Sequence, residues 1–415
     1  MSSLMTVKEI YQKWESINLV YRIVGGLLIG LLLALIIPGN EYIYLIGDAF
    51  IAALKGIAPF LVLLLVIGSL SKAAAGISNR FKLIIYLYIG STIVSAAVAT
   101  VMSFAFPVEV ILDSSLGGGS GTSGDMYTLV SGLLFKMICN PVGALMEGNY
   151  LGILFWAIIV GIILRTTASE GTLKLFDDLS DTVIKVIRLI ISFAPFGVMG
   201  LIYNSVSTNG TEIFINYGTL ILLLVGTMAI VMFVTNPLIV FLLTRRNPYP
   251  LLLACIKGSG VTAFFTRSSA ANIPMNMSTC EKMGIDKELY STSIPLGATI
   301  NMNGAAITIT VMTLAAAHTL NVEVPIFMAL LLCIVSSFAA CGASGVGGGS
   351  LLLIPLACSL IGISDDVAAV LIGIGFIIGV IQDSMETALN SSSDVLFTAA
   401  AEIHDNPDIE LNYKI

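Results

Sequence analysis

Histidine is almost missing from this sequence: His318 and His404 are the only two, and they stand far apart. That argues against a zinc centre or a histidine-based catalytic site, because imidazole supplies many of the ligands and bases in such sites. Charge is scarce too. Only 11% of residues are Asp, Glu, Lys or Arg, against about 25% in an ordinary soluble protein. The six cysteines (139, 255, 280, 333, 341, 358) show no C-x-x-C spacing and lie in apolar surroundings, so they read as buried thiols rather than metal or disulfide chemistry. Lys and Arg are absent from Tyr290 to Tyr413.

What the chain does have is apolar length. Hydrophobic residues make up 57% of it, and the mean hydropathy is +0.98. A span across the ~30 Å hydrocarbon core takes about 20 residues. Such runs occur at roughly 17–38, 43–71, 82–107, 150–165, 189–206 and 217–244. The first is too long for a signal peptide, and the charged stretch 1–16 before it reads as an amphipathic cytoplasmic helix. Basic residues gather at 8, 13 and 22, at 72, 80 and 82, at 165 and 174, at 245 and 246, and at 282 and 287, while the loops 39–48, 106–135 and 203–216 are empty of them. The positive-inside rule then puts both termini in the cytoplasm, with an even number of spans. The Gly/Ser-rich stretch 114–125 is expected to be a flexible external linker, and Asn209-Gly-Thr211 matches a glycosylation sequon that often arises by chance.

Beyond residue 245 the pattern breaks. Segments 250–281 and 325–360 are each apolar at both ends and polar or Gly-rich in the middle, "FFTRSSAANIP" and "ACGASGVGGGS". Irregular backbone at membrane depth survives only where protein or a water-filled cavity satisfies it, and two interrupted segments point to a transporter site. They read as two re-entrant hairpins. Between them "LGATINMNGAAITIT" (296–310) carries Asn301, Asn303 and Gly304 inside an apolar span, with the Asn side chains expected to satisfy backbone freed by unwinding.

The last span holds "QDSMETALNSSSD" (382–394). At ~100° per residue Asp383, Glu386, Thr387, Asn390 and Asp394 share one stripe roughly 100° wide. Each carboxylate at mid-membrane costs at least ~2.5–3.5 kcal/mol on insertion scales. Such a stripe is a ligand wall whose charge cations offset.

These motifs, "TRSSAANIP", "LGATINMNG", "SGVGGG" and "QDSMETALNSSSD", resemble in order and spacing those of the glutamate-transporter family, the dicarboxylate/amino acid:cation symporters, and most of all its bacterial sodium/serine-threonine branch. The likeness runs over nearly the whole chain and includes "SFAPFGV" (192–198). It implies an all-α multi-pass membrane protein: eight transmembrane helices, two re-entrant hairpins, a homotrimer and an elevator motion. The scaffold would be spans 1, 2, 4 and 5 of the region 17–244. The transport domain would be 245–400 (hairpin 1 250–281, span 7 287–318, hairpin 2 325–360, span 8 364–400), moving with spans 3 and 6, and 401–415 a cytoplasmic tail. Carried over by position, the resemblance implies that Asp383 binds a substrate ammonium and that Thr387 and Asn390 bind its amino-acid backbone. Ser268 and Ser269 at the first tip, with Val346 and Gly348 at the second, would close over it. One sodium site would use Asp394 with carbonyls of Gly297, Asn301 and Asn390. A second would use Thr299 with carbonyls of Ala340, Cys341 and Ala343, and a deeper one Tyr88, Ser91, Thr92 and Asn303.

Three departures shape the expected substrate. Acidic-substrate members carry an Arg three residues after the ammonium-binding Asp; here that position is Glu386, and Ala305 replaces a Thr that helps hold the same carboxylate. Two carboxylates facing each other in a dry site repel by several kcal/mol, roughly. A small neutral amino acid, serine or threonine first, fits instead, with Glu386 bonding its hydroxyl. Asn303 replaces an Asp, so fewer coupled sodium ions are expected. Arg267 stands beside the first tip, placed to pair with the transport-domain carboxylates. The rivals are an acidic amino-acid or dicarboxylate symporter, an ion channel, and an intramembrane hydrolase using Ser268 or Ser344. The last has no base to pair with either serine, and "GASGV" is no nucleophile elbow.

Overall fold

A computed structural model describes residues 17, 19–72, 79–112, 131, 134–210, 213–343, 345 and 347–414. The stretch 1–16, the Gly/Ser loop 114–125, Thr211, Ser344 and Val346 lie outside the described residues. Among those described, all regular structure is helical. Among the described residues seven helices are long and apolar enough to cross a bilayer, or eight if one bent pair counts as a span. The chain is thus a multi-pass helical membrane protein.

The first half contains α1 (Leu19–Ile36), α2 (Glu41–Lys72), α3 (Asn79–Ala105), the short α4 (Pro141–Glu147), α5 (Tyr150–Thr167), α6 (Glu170–Ser192), α7 (Ala194–Asn209), α8 (Ile213–Ile230) and α9 (Asn236–Thr244), the last two joined by one π turn. Helices α1, α2, α5, α6 and α7 pack on one another. Lipid gives helices no hydrophobic reason to associate, so close approach falls to small residues. Gly47 and Gly200 meet face to face: a Cβ on Gly47 would lie 2.9 Å from the Gly200 carbonyl carbon. Gly26 likewise faces Pro195, and Gly30 faces Met199, so α1 and α7 run side by side in the same direction.

The sequence reads one span over 189–206. The structure instead breaks there: α6 and α7 meet at Phe193 with a bend of 54°. Pro195 in the first turn of α7 cannot continue the hydrogen-bond ladder of α6.

In the second half the chain turns back on itself twice. The first hairpin rises through α10 (Tyr249–Cys255), a π turn and α11 (Val261–Thr266), then returns as α12 (Ser269–Met283). Its arms are tied by Asn272 Nδ2 donating to the Ser259 carbonyl (3.3 Å) and Thr279 Oγ1 donating to the Gly258 carbonyl (2.9 Å). Irregular backbone expected over 264–274 shrinks to Arg267 and Ser268. Arg267 is left-handed (φ 53°), and Ser268 Oγ accepts from Ala271 N (3.2 Å), a side-chain cap that restarts the helix at once.

Helix α13 (Lys287–Ile300) and α14 (Asn303–Thr319) are separated by an unwound Asn301–Met302. The second hairpin is α15 (Ile326–Ala340), a turn, a 3-10 segment (Gly349–Leu353) and α16 (Ile354–Leu360). Last comes α17 (Asp365–Asp405), 41 residues long, which touches both hairpins, α13 and α14. It outruns the expected 364–400. The residues after it pack back on the first hairpin and its lead-in. Asn412 N donates to the Met283 carbonyl (3.0 Å), Arg246 donates to the carbonyls of Pro407 and Ile409, and Leu411 is buried.

Candidate functional site

The polar stripe of α17 faces inward. Asp383, Glu386, Thr387, Asn390 and Asp394 are each at most 5% exposed, and the tips of both hairpins sit over its first half. Ser268 Oγ donates to the Gly345 carbonyl (3.0 Å), which joins the two tips. Gly345 is left-handed (φ 61°), and a Cβ there would lie 2.8 Å from the Ala298 carbonyl oxygen, so glycine lets the second tip settle on both neighbours.

Asp383 lies directly beneath. Its Oδ2 accepts from Arg267 Nε at 2.7 Å, and its Oδ1 accepts from Gly348 N at 3.2 Å. The side chains of this pair are 11% and 3% exposed. The arginine expected to meet a transport-domain carboxylate therefore meets the one expected to hold an ammonium. A buried carboxylate paired with a cation is stable only while the positive charge stays. Ser269 is buried beside the same tip.

Three residues on, Glu386 occupies a polar cradle. Its Oε2 accepts from Gln382 Nε2 (2.6 Å), Thr308 Oγ1 (2.7 Å) and Ser350 Oγ (2.9 Å). Gly304 makes the approach possible, since a Cβ there would lie 2.8 Å from Glu386 Cα. Gln382, Thr308 and Ser350 were not singled out from sequence. Gln382 stands one turn before Glu386 and was legible in principle; the other two come from distant segments.

Thr387 spends its hydroxyl proton on the Asp383 carbonyl (2.7 Å), leaving its oxygen lone pairs as the available group. Asn390 corrects one expectation. Asn301 and Asn303 do not satisfy the backbone freed by unwinding; Asn390 Oδ1 does, accepting from Gly304 N at 2.7 Å. It caps α14 from another helix, filling one of the donors that every helix start leaves open.

Gly297, Asn301, Asn390 and Asp394, the first expected sodium set, lie close together, with the Gly297 and Asn390 carbonyls accepting from Asn301 N (2.9 Å) and Nδ2 (3.3 Å). Asp394 Oδ1 accepts from Asn301 Nδ2 (2.8 Å), and a Cβ on Gly297 would lie 2.6 Å from that oxygen. Asp394 Oδ2 is buried with no hydrogen-bond partner. An orphaned carboxylate oxygen in such a place calls for a cation, and one carboxylate among carbonyl and amide oxygens suits a hard ion. No group of three His, Cys, Asp or Glu suited to a transition metal occurs among the described residues.

Tyr88, Ser91, Thr92 and Asn303 also converge. Ser91 Oγ and Thr92 Oγ1 donate to Asn303 Oδ1 at 3.0 and 3.1 Å, and Tyr88 OH donates to the Asp394 carbonyl at 3.2 Å. The neutral Asn303 is thus satisfied by hydroxyls. The second set is looser. Thr299 Oγ1 donates to the Leu296 carbonyl (2.7 Å), and Ala340 O accepts from Ala343 N (2.9 Å). Cys341 Sγ, donating to the Ile300 carbonyl at 3.5 Å, links the two segments.

Residues 19–402 match the model of the sodium:dicarboxylate symporter family. The chain belongs to that family. A serine/threonine transporter of Bifidobacterium adolescentis is 49% identical over 398 residues, 96% of this chain and 92% of the relative. One from Streptococcus agalactiae is 50% identical over 396 residues, 95% and 98% of the two chains. One from Lacticaseibacillus casei is 47% identical over 95% of this chain and 91% of its own length. Three donors thus converge on Glu386 beside Asp383.

Proposed function

We propose that this symporter takes up small neutral amino acids, L-serine and L-threonine first, together with sodium across a bacterial cytoplasmic membrane. The observation that carries the reading is the cradle of Glu386. A dicarboxylate substrate would need a cation at this position, and Glu386 supplies none in either protonation state. The names of the relatives agree. The substrate ammonium displaces Arg267 from Asp383, Glu386 receives the substrate hydroxyl, Thr387 and Asn390 contact the amino-acid backbone, and Asp394 holds a sodium ion.

The two helix–turn–helix segments serve as re-entrant hairpins of a transport domain that moves against α1, α2, α5 and α7 in an elevator stroke, in a homotrimer with both termini cytoplasmic. The seating of the first tip supports an inward position. Its neighbours Leu19, Arg22 and Ile23 belong to the first turns of α1, and Ile191 and Ser192 to the end of α6. With α1 starting in the cytoplasm, a tip at that level puts the arms of the hairpin beyond the scaffold on the cytoplasmic side.

Proteoliposomes with an inward sodium gradient are expected to accumulate labelled serine above equilibrium, with excess threonine competing and excess aspartate not. Competition by aspartate equal to that by threonine would contradict the reading.

A further inference from the structure

The three bonds to the Glu386 carboxyl are unevenly shared. Gln382 Nε2 from α17, Thr308 Oγ1 from α14 and Ser350 Oγ from the 3-10 segment of the second hairpin all donate to Oε2, and none of them to Oε1. A carboxyl oxygen offers about two lone-pair sites, so three donors fill Oε2 and fix the plane of the group. The donors are themselves held, each at most 1% exposed. Gln382 Nε2 also donates to Thr308 Oγ1 (2.7 Å). Thr308 has one proton to give, and Glu386 Oε2 at 2.7 Å is nearer than the Gly304 carbonyl at 3.1 Å. Gln382 Oε1 is left buried without a partner, a cost that aiming both amide hydrogens at this corner explains. The second tip spans both acids of the stripe: Gly348 N donates to Asp383 Oδ1 (3.2 Å), and Ser350, two residues on, reaches Glu386.

We propose that Thr308, Ser350 and Gln382 are positioning residues that set the preference for a hydroxyl-bearing amino acid, by holding Oε2 so that Oε1 alone meets the substrate side chain. The inference rests on the proposed transport of serine and threonine. A hydroxyl both donates and accepts, so it bonds Oε1 in either protonation state of the acid. The methyl group of alanine does neither, and would bury Oε1 unbonded. A site built to hydrogen-bond a hydroxyl rejects the analogue that lacks it, because its own polar group is then left unpaired. The donors come from three separate elements, and one of them arrives only with the second hairpin. Selection for the hydroxyl is therefore complete only when that tip is seated.

Equilibrium binding of serine and of alanine to the full chain in nanodiscs, at saturating sodium, tests this. The wild type is expected to bind serine at least about tenfold more tightly than alanine. Thr308→Val/Ser350→Ala should weaken serine binding about tenfold and leave alanine binding no weaker than in the wild type. Thr308→Ser, which keeps the hydroxyl, should keep the wild-type ratio. Ser350→Ala alone removes a single oxygen and should move the ratio part of the way, so the test stands even where the double variant does not fold. Equal losses for serine and alanine, the mark of a merely structural role, overturn the proposal, and so does an unchanged ratio. Glu386→Ala separates the two readings. Where it erases the preference while Thr308→Val/Ser350→Ala keeps it, Glu386 still recognises the hydroxyl and the positioning role falls. A wild type that binds no serine overturns the transport reading and this inference with it.

Discussion

Asp383→Asn is expected to abolish serine binding while the protein still folds and elutes as the wild type does. The carboxylate at this position is 3% exposed and holds the Arg267 guanidinium at 2.7 Å. The proposed transport cycle exchanges that guanidinium for the substrate ammonium. Asparagine keeps the shape and removes the charge, so the ammonium would be buried without a counter-ion. Stripping one partner from a buried pair costs about 3–5 kcal/mol. At 1.4 kcal/mol per tenfold, the loss of affinity is roughly two to three and a half orders of magnitude. Equilibrium binding of labelled serine to the purified variant reads it. Unchanged affinity would show that the ammonium sits elsewhere. The bond from Gly348 N to Asp383 Oδ1 adds a second readout, since the second tip loses a charged acceptor and should close less readily.

Asp394→Asn is expected to move the sodium midpoint of serine binding upward by about two orders of magnitude, with serine affinity at saturating sodium little changed. The Oδ2 atom is buried and unpartnered, and Asp394 carries the one formal negative charge in the proposed set, whose other members are backbone carbonyls. At an effective dielectric of ~20, a unit-charge pair near 2.5 Å is worth on the order of 7 kcal/mol before desolvation, so the neutral variant has ample room for such a loss. A sodium titration of serine binding measures the shift. An unmoved midpoint would remove Asp394 from the sodium site.

These two carboxylates were legible in the sequence because helix geometry alone puts them on one face, and because charge inside an apolar span needs a reason. The helix–turn–helix shape of both interrupted segments was legible for a related reason: a polar tip between two apolar half-spans breaks the helix there. What sequence hid was the work done across segments. Asn390 reads as a ligand, yet its Oδ1 also caps α14 at Gly304 N, a contact between positions 86 residues apart. The cradle of Glu386 draws on Thr308 and Ser350, each set by tertiary packing and neither marked by local pattern. Ser391 is similar: it accepts from Asn272 Nδ2 (2.8 Å) and Asn276 Nδ2 (3.0 Å), fastening the first hairpin to α17 through a buried polar network. The bend at Phe193 escaped because apolar content continues through it, and hydropathy does not register the direction of a helix.

The account turns on the acidic face of α17 being neutralised by an amine and by sodium that cross the membrane together. The most direct measurement follows radiolabelled sodium and radiolabelled serine into the same proteoliposomes. Serine is expected to bring sodium in at a fixed ratio, each flux falling to background when the other solute is withheld. Serine entry that continues undiminished when choline replaces sodium would contradict the account.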